Sequence, residues 1–109
     1  GYIAEGVPME VFSVGLKARQ VARQFNRVSR EHPPSKEDCA MVKGECELAF
    51  RALRDSYLND CKEEAIYLRS CSRLRDLLAE CQEACEASFH RCKGQATEGT
   101  MWQKMGLRR

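Results

Sequence analysis

Residues 35–94 read SKEDCAMVKGECELAFRALRDSYLNDCKEEAIYLRSCSRLRDLLAECQEACEASFHRCKG, and this stretch holds all seven cysteines of the chain. Its apolar positions recur at helical spacing: Cys39, Val42, Cys46, Ala49, Leu53, Tyr57 and Cys61, with Phe50 widening the stripe, then Ala65, Leu68, Cys71, Leu74, Leu78, Cys81, Cys85, Phe89 and Cys92. Ser35 predicts an N-cap, because acids follow it in the first turn and Pro33-Pro34 forbid helix before it. Gly94 is a helix stop. A straight helix over this stretch would be ~85 Å long at about 1.5 Å per residue, which no chain of this size can support. It must fold back on itself. Asn59-Asp60 is the best local turn signal, and Ser70 and Ser72 offer a weaker one.

The cysteine spacing is Cys39-x6-Cys46-x14-Cys61-x9-Cys71-x9-Cys81-x3-Cys85-x6-Cys92. Separations of seven and ten keep thiols on one helix face but ~10–15 Å apart, too far to bond within that helix. They can bond to a second, antiparallel helix. Zinc sites usually use C-x2-C knuckles, and none occurs here. Disulfides between helices are therefore favoured over metal ligation or reduced core thiols, and with them an oxidising compartment.

Nested links across an antiparallel pair need residue numbers of nearly equal sum. Cys61–Cys92 with Cys71–Cys81 satisfies this. So does Cys39–Cys92 with Cys46–Cys85 and Cys61–Cys71, although its turn falls near Glu64 and Ala65, where no breaker stands. A third set, Cys39–Cys81 with Cys46–Cys71, is less even, and Cys39–Cys46 could close locally if Gly44 disrupts the helix. The residues leave these registers open. Each link would contribute ~3–4 kcal/mol to a hairpin too small to be stable by its core alone. The cysteines read as staples, because redox catalysis favours closely spaced, low-pKa thiols.

Working outward, residues 1–12 lack a sustained period and contain Gly6 and Pro8, which predicts an extended arm. Ser13 to about Arg30 predicts an amphipathic helix, capped by Ser13, with Val14, Ala18, Val21, Phe25 and Val28 as its apolar stripe. Lys17, Arg19, Arg23, Arg27 and Arg30 make it basic, with no acid between Val11 and Arg30. Such a face is either simply solvated or docks on an acidic partner or anionic headgroups; Lys17, Arg19, Arg23 and Arg27 are the candidates for a partner contact. Residues 94–109 predict an irregular tail, in which Trp102 serves as a docking anchor or a lid on the hairpin. The organisation expected is thus all-α: an arm and basic amphipathic helix over 1–34, a disulfide-stapled antiparallel helical hairpin over 35–93, and an extended tail over 94–109.

Composition narrows the function. The chain has 109 residues with a net charge of +2, and residues 35–93 hold ten basic and twelve acidic groups, so nothing steers it strongly to nucleic acid. Aromatics make up only 7%, which predicts a thin, aliphatic core. No apolar run approaches the roughly 20 residues of a membrane helix. With only His32 and His90, no Ser-His-Asp constellation can form, and no glycine-rich phosphate loop is present. His90 with Cys85 and Cys92 could suggest a metal site, but on a helix the two cysteines share a face that His90 leaves. We therefore expect neither enzyme activity nor a cofactor, metal or small-molecule substrate.

The run Cys61-x9-Cys71-x9-Cys81-x10-Cys92, with Phe89 three residues before the last cysteine, resembles the twin C-x9-C (coiled-coil-helix-coiled-coil-helix) family of the mitochondrial intermembrane space. The resemblance covers about residues 58–95. It implies oxidation by the disulfide relay, a stapled hairpin pairing Cys61 with Cys92 and Cys71 with Cys81, and an accessory or assembly role in a respiratory complex. The N-terminal stretch shows no secretory-signal pattern, which fits that address. Asp38-Cys39-x6-Cys46, the Arg54-Asp55-x-Tyr57 cluster and Cys81-x10-Cys92 are similar to the PDSW-type accessory-subunit family of respiratory complex I. The C-x9-C and C-x10-C combination also resembles the VIb-type subunits of cytochrome c oxidase. Copper chaperones of the family carry an adjacent Cys-Cys, which this chain lacks. The function expected is a structural accessory subunit of complex I, peripheral on the inner membrane and contacting other subunits. Cytochrome oxidase, an assembly factor and a mitochondrial ribosome component are the competing readings.

Overall fold

The computed structural model describes residues 6–93, which form three α-helices: α1 (Met9–Val28), α2 (Lys36–Asp60) and α3 (Arg69–Arg91). Among the described residues there is no strand. Each helix packs on both others, so the expected hairpin of α2 and α3 is joined by α1 as a third, equal member. A short connection reverses the chain between α1 and α2, and a second reversal follows α2. α1 therefore runs parallel to α3, and the end of α1, the start of α2 and the end of α3 lie together.

α2 starts as the sequence predicts: the Ser35 hydroxyl accepts from the Asp38 N–H at 3.0 Å, with Glu37 and Asp38 in the first turn. That pairs one orphan N–H and places carboxylates at the positive end of the helix dipole. Asn59-Asp60 does not form the turn. Both residues stay in the last turn of α2, where the Ser56 hydroxyl donates to Asp60 Oδ2 at 2.6 Å. The reversal occupies the next residues as a single 3-10 turn, Glu63–Ala65.

α1 begins five residues earlier than expected, with Pro8 and not Ser13 at its cap. Proline read as a breaker, but at the head of a helix its missing N–H costs nothing and its φ of −64° suits the entry. The arm before it is also held. Val7 is buried, and its N–H donates to the Ser70 hydroxyl at 3.3 Å. Gly6 turns the chain there with a φ of +77°, a conformation side chains disfavour.

The buried face of α1 is rotated from the expected stripe. Phe12, Gly15, Ala18, Ala22 and Phe25 face inward, whereas Val14 and Val21 are only partly buried and Val28 is exposed. Gly15 explains the choice. A Cβ there would lie 2.7 Å from Leu77 Cδ2 and 3.1 Å from Leu53 Cδ2, so α1 beds against both partners along its small residues. On α3 the same kind of shift buries Leu77 and leaves Leu78 partly exposed. All seven cysteines are buried in the core, alongside Val42, Phe50, Leu53, Leu74 and Phe89.

A polar latch near the end of α1 ties it to α3. The fully buried Ser88 hydroxyl donates to Asn26 Oδ1 at 2.9 Å, while Asn26 Nδ2 donates to the Ala84 carbonyl at 3.1 Å. Each buried polar atom thereby finds a partner, which fixes the height of α1 against α3.

Candidate functional site

The cysteines form a three-rung ladder with the sums of the second register: Cys39–Cys92, Cys46–Cys85 and Cys61–Cys71, with Cα–Cα distances of 5.9, 6.2 and 5.8 Å. The first two rungs tie α2 to α3, and the third closes the reversal that lacks a Gly or Pro. The pairing implied by the twin C-x9-C resemblance is not formed. Cys71 and Cys81 both lie on α3, about 15 Å apart along its axis, and Cys61 and Cys92 sit near opposite ends of the α2–α3 pair. Cys39 does not pair with Cys46 either, because α2 runs unbroken through Gly44.

Cys81 is the one free cysteine. It is wholly buried, and its thiol donates to the Gly15 carbonyl at 3.1 Å. Burial pushes its pKa up to about 11, opposed by the nearby Arg19 charge. A thiol raised in this way is a packing group, not a nucleophile.

With Cys85 and Cys92 oxidised, the His90 grouping offers no thiolate. Among the described residues no cluster of three or more His, Cys, Asp or Glu is placed to hold a metal ion. None of the described helices is long and apolar enough to cross a membrane.

The basic residues of α1 do not share one face. Lys17 points toward α2, with Nζ 3.7 Å from Glu45 Oε2. Arg19 turns the other way, to a salt bridge with Glu80 of α3, and Arg27 bonds the Gln24 side chain. Arg23, Arg27 and Arg30 border a furrow against α3, whose opposite bank carries Glu80 and Glu83. Exposed pairs of this kind contribute about 0–1 kcal/mol each. They orient the arginines more than they stabilise the fold. Trp102, the remaining candidate contact, lies outside the described residues.

The sequence reading missed an apolar groove of about 510 Å³ on the opposite flank of α1. Val21, Phe25 and Val28 of α1, Pro33 of the connection and Met41 of α2 line it, with Lys17 at one end. The groove follows from the rotation of α1: packing on small residues leaves the larger Val21 and Val28 at the edge of the seam. Val28 is 47% and Met41 51% exposed. His32, expected as a solvated linker residue, lies on the groove's margin. The signal available in sequence was Val21 and Val28, seven apart and surplus to the stripe that Gly15, Ala18 and Ala22 complete.

Comparison with protein families, curated proteins and solved structures returns no match to this chain.

Proposed function

We propose that the chain is a structural interaction subunit of an oxidising compartment, which presents rigid helical surfaces to protein partners and performs no chemistry of its own. The observation that carries this reading is the disulfide ladder. Six of seven cysteines are consumed as buried links between or beside helices, and the seventh is buried as a neutral thiol. Cysteines placed in this way lower the entropy of the unfolded chain and leave no thiol poised for reaction. The arginines along the α3 side of α1 then supply an exposed cationic edge for an acidic neighbour.

The finer reading is an accessory subunit of a mitochondrial respiratory complex, peripheral on the intermembrane-space side, with complex I favoured. Its support is the similarity of the Asp38-Cys39-x6-Cys46 region to the PDSW-type family, together with the participation of Cys39 and Cys46 in the two rungs that join α2 to α3. The twin C-x9-C pairing contributes nothing to it.

Fractionation of the tagged protein in its native cells tests both levels. Co-migration with intact complex I on native gels, protection from protease until the outer membrane is ruptured, and release by alkaline carbonate are the expected results. Recovery with all links oxidised but in the secretory pathway would keep the structural role and remove the mitochondrial one. Recovery as seven reduced thiols would overturn the proposal at its root.

A further inference from the structure

We propose that the groove between α1 and α2 seats this chain's own C-terminal segment, with Trp102 as the side chain that fills it. The inference stands apart from the compartment and the complex, because it concerns only the chain's own parts.

The groove has the character of a binding site: about 510 Å³ of concave space, apolar walls from Val21, Phe25, Val28, Pro33 and Met41, and polar groups at the margin. Exposing Val28 and Met41 side by side costs solvation unless something covers them. The staple ladder decides what is within reach. Cys92 is bonded to Cys39, so the chain leaves α3 at the start of α2, within a turn of Asp38 and Met41 at the groove. Trp102 follows Lys93 by nine residues, a reach of about 30 Å when extended. The stretch of α1 along the groove, Lys17 to Val28, spans about 16 Å.

The other terminal segment does not compete. Val7 is pinned to Ser70 at the start of α3, which is the far end of the bundle. The C-terminal segment also has the matching chemistry. Met101, Trp102, Met105 and Leu107 are its large apolar residues, in a stretch that is otherwise polar, glycine or alanine. An indole places its apolar body against valine, phenylalanine and methionine, and its N–H finds acceptors in the Gln24, Ser29 and Asp38 side chains on the margin. A bound segment would also shield the seam beneath Lys17 and Glu45 from water, and a partner using this face would have to displace it.

Trp102 is the only tryptophan in the chain, so its fluorescence reads the proposal directly. In the oxidised 109-residue chain its emission is expected to be blue-shifted from that of the same chain in denaturant, weakly quenched by acrylamide, and unchanged on serial dilution. Val28→Glu and Met41→Glu alter exposed positions, so far-UV circular dichroism should be retained. Each should move the emission to that of the denatured chain and raise acrylamide quenching severalfold. Native emission already equal to the denatured value would overturn the proposal. So would a blue shift that survives both substitutions, which would seat Trp102 elsewhere. A blue shift lost on dilution would assign the groove to a second copy instead.

Discussion

Cys81 lies one helical turn from Cys85, yet the two sulfurs have opposite fates because of what faces them. Cys85 meets Cys46 of α2, whereas Cys81 meets the backbone of α1 at Gly15. With no exposed surface, its ionised form is disfavoured, and the thiol titrates near 11 instead of its ordinary 9.0. The folded state therefore holds this proton more tightly than the unfolded state does. The resulting stabilisation is fully present below pH 9 and is lost as pH rises from about 9 to 11. Its size is at most about 2–3 kcal/mol. Cys81→Ala removes the titrating group, so the stability gap between wild type and variant should narrow by that order between pH 8 and 11. Urea unfolding followed by circular dichroism at the two pH values measures it. A gap that stays constant would show that Cys81 titrates in the fold as it does in water. Iodoacetamide at neutral pH should correspondingly label no cysteine of the native oxidised chain and one after denaturation.

Glycine has different work in α1 and α2, and substitution separates the two. In α2, a Cβ at Gly44 would meet nothing within 4 Å, and the position is exposed within an unbroken helix. Gly44→Ala should therefore stabilise the protein by about 0.5–1 kcal/mol, since only helix propensity changes. In α1, Gly15 lies where the helix touches Leu53 and Leu77, and Gly15→Leu should cost about 1–3 kcal/mol or more by forcing α1 off its seat. Thermal melts of the two variants should move in opposite directions. The same contrast explains what could be read from sequence. The extent of α2 was legible in Ser35, the acids behind it and the apolar period. The inward face of α1 was not, because Val14, Val21 and Val28 make a more hydrophobic stripe than Gly15, Ala18 and Ala22. Close approach of backbones favours the smaller residues, and only the third dimension reveals that approach. The groove went unseen for the same reason. The disulfide register was ambiguous because two sets of cysteines have matching sums. The reversal at Glu63–Ala65 decides between them, and no local residue marks it.

At the scale of the whole molecule the rungs are not independent, because Cys46–Cys85 lies inside the loop that Cys39–Cys92 closes. With Cys46–Cys85 intact, the outer rung restrains only the short segments 39–46 and 85–92, a loop of roughly 15 residues contributing ~3 kcal/mol. With the inner rung gone, the same bond closes a loop of roughly 45 residues, because Cys61–Cys71 still short-cuts part of the 53-residue separation, and its contribution rises to ~4 kcal/mol. Cys61–Cys71, at a separation of 10, restrains the least chain and should contribute the least, somewhat under ~3 kcal/mol. Paired Cys→Ser variants of the outer rung, of the inner rung, and of both together form a double-mutant cycle. The double removal should cost about 1 kcal/mol more than the two single removals added, as read by guanidinium unfolding. The extra loss arises because each rung, while present, has already restricted the chain that the other would restrict. A cycle that closes to zero would mean that the reduced segments keep their helical pairing in the unfolded chain, so that the staples act on packing and not on chain entropy. The three-helix arrangement adds a second check: α1 carries no disulfide, and it is held by its small-residue seat and the Ser88–Asn26 latch. Loss of the rungs should therefore loosen α2 from α3 before α1 leaves either, giving earlier amide exchange at the α2–α3 seam than along Gly15 to Ala22.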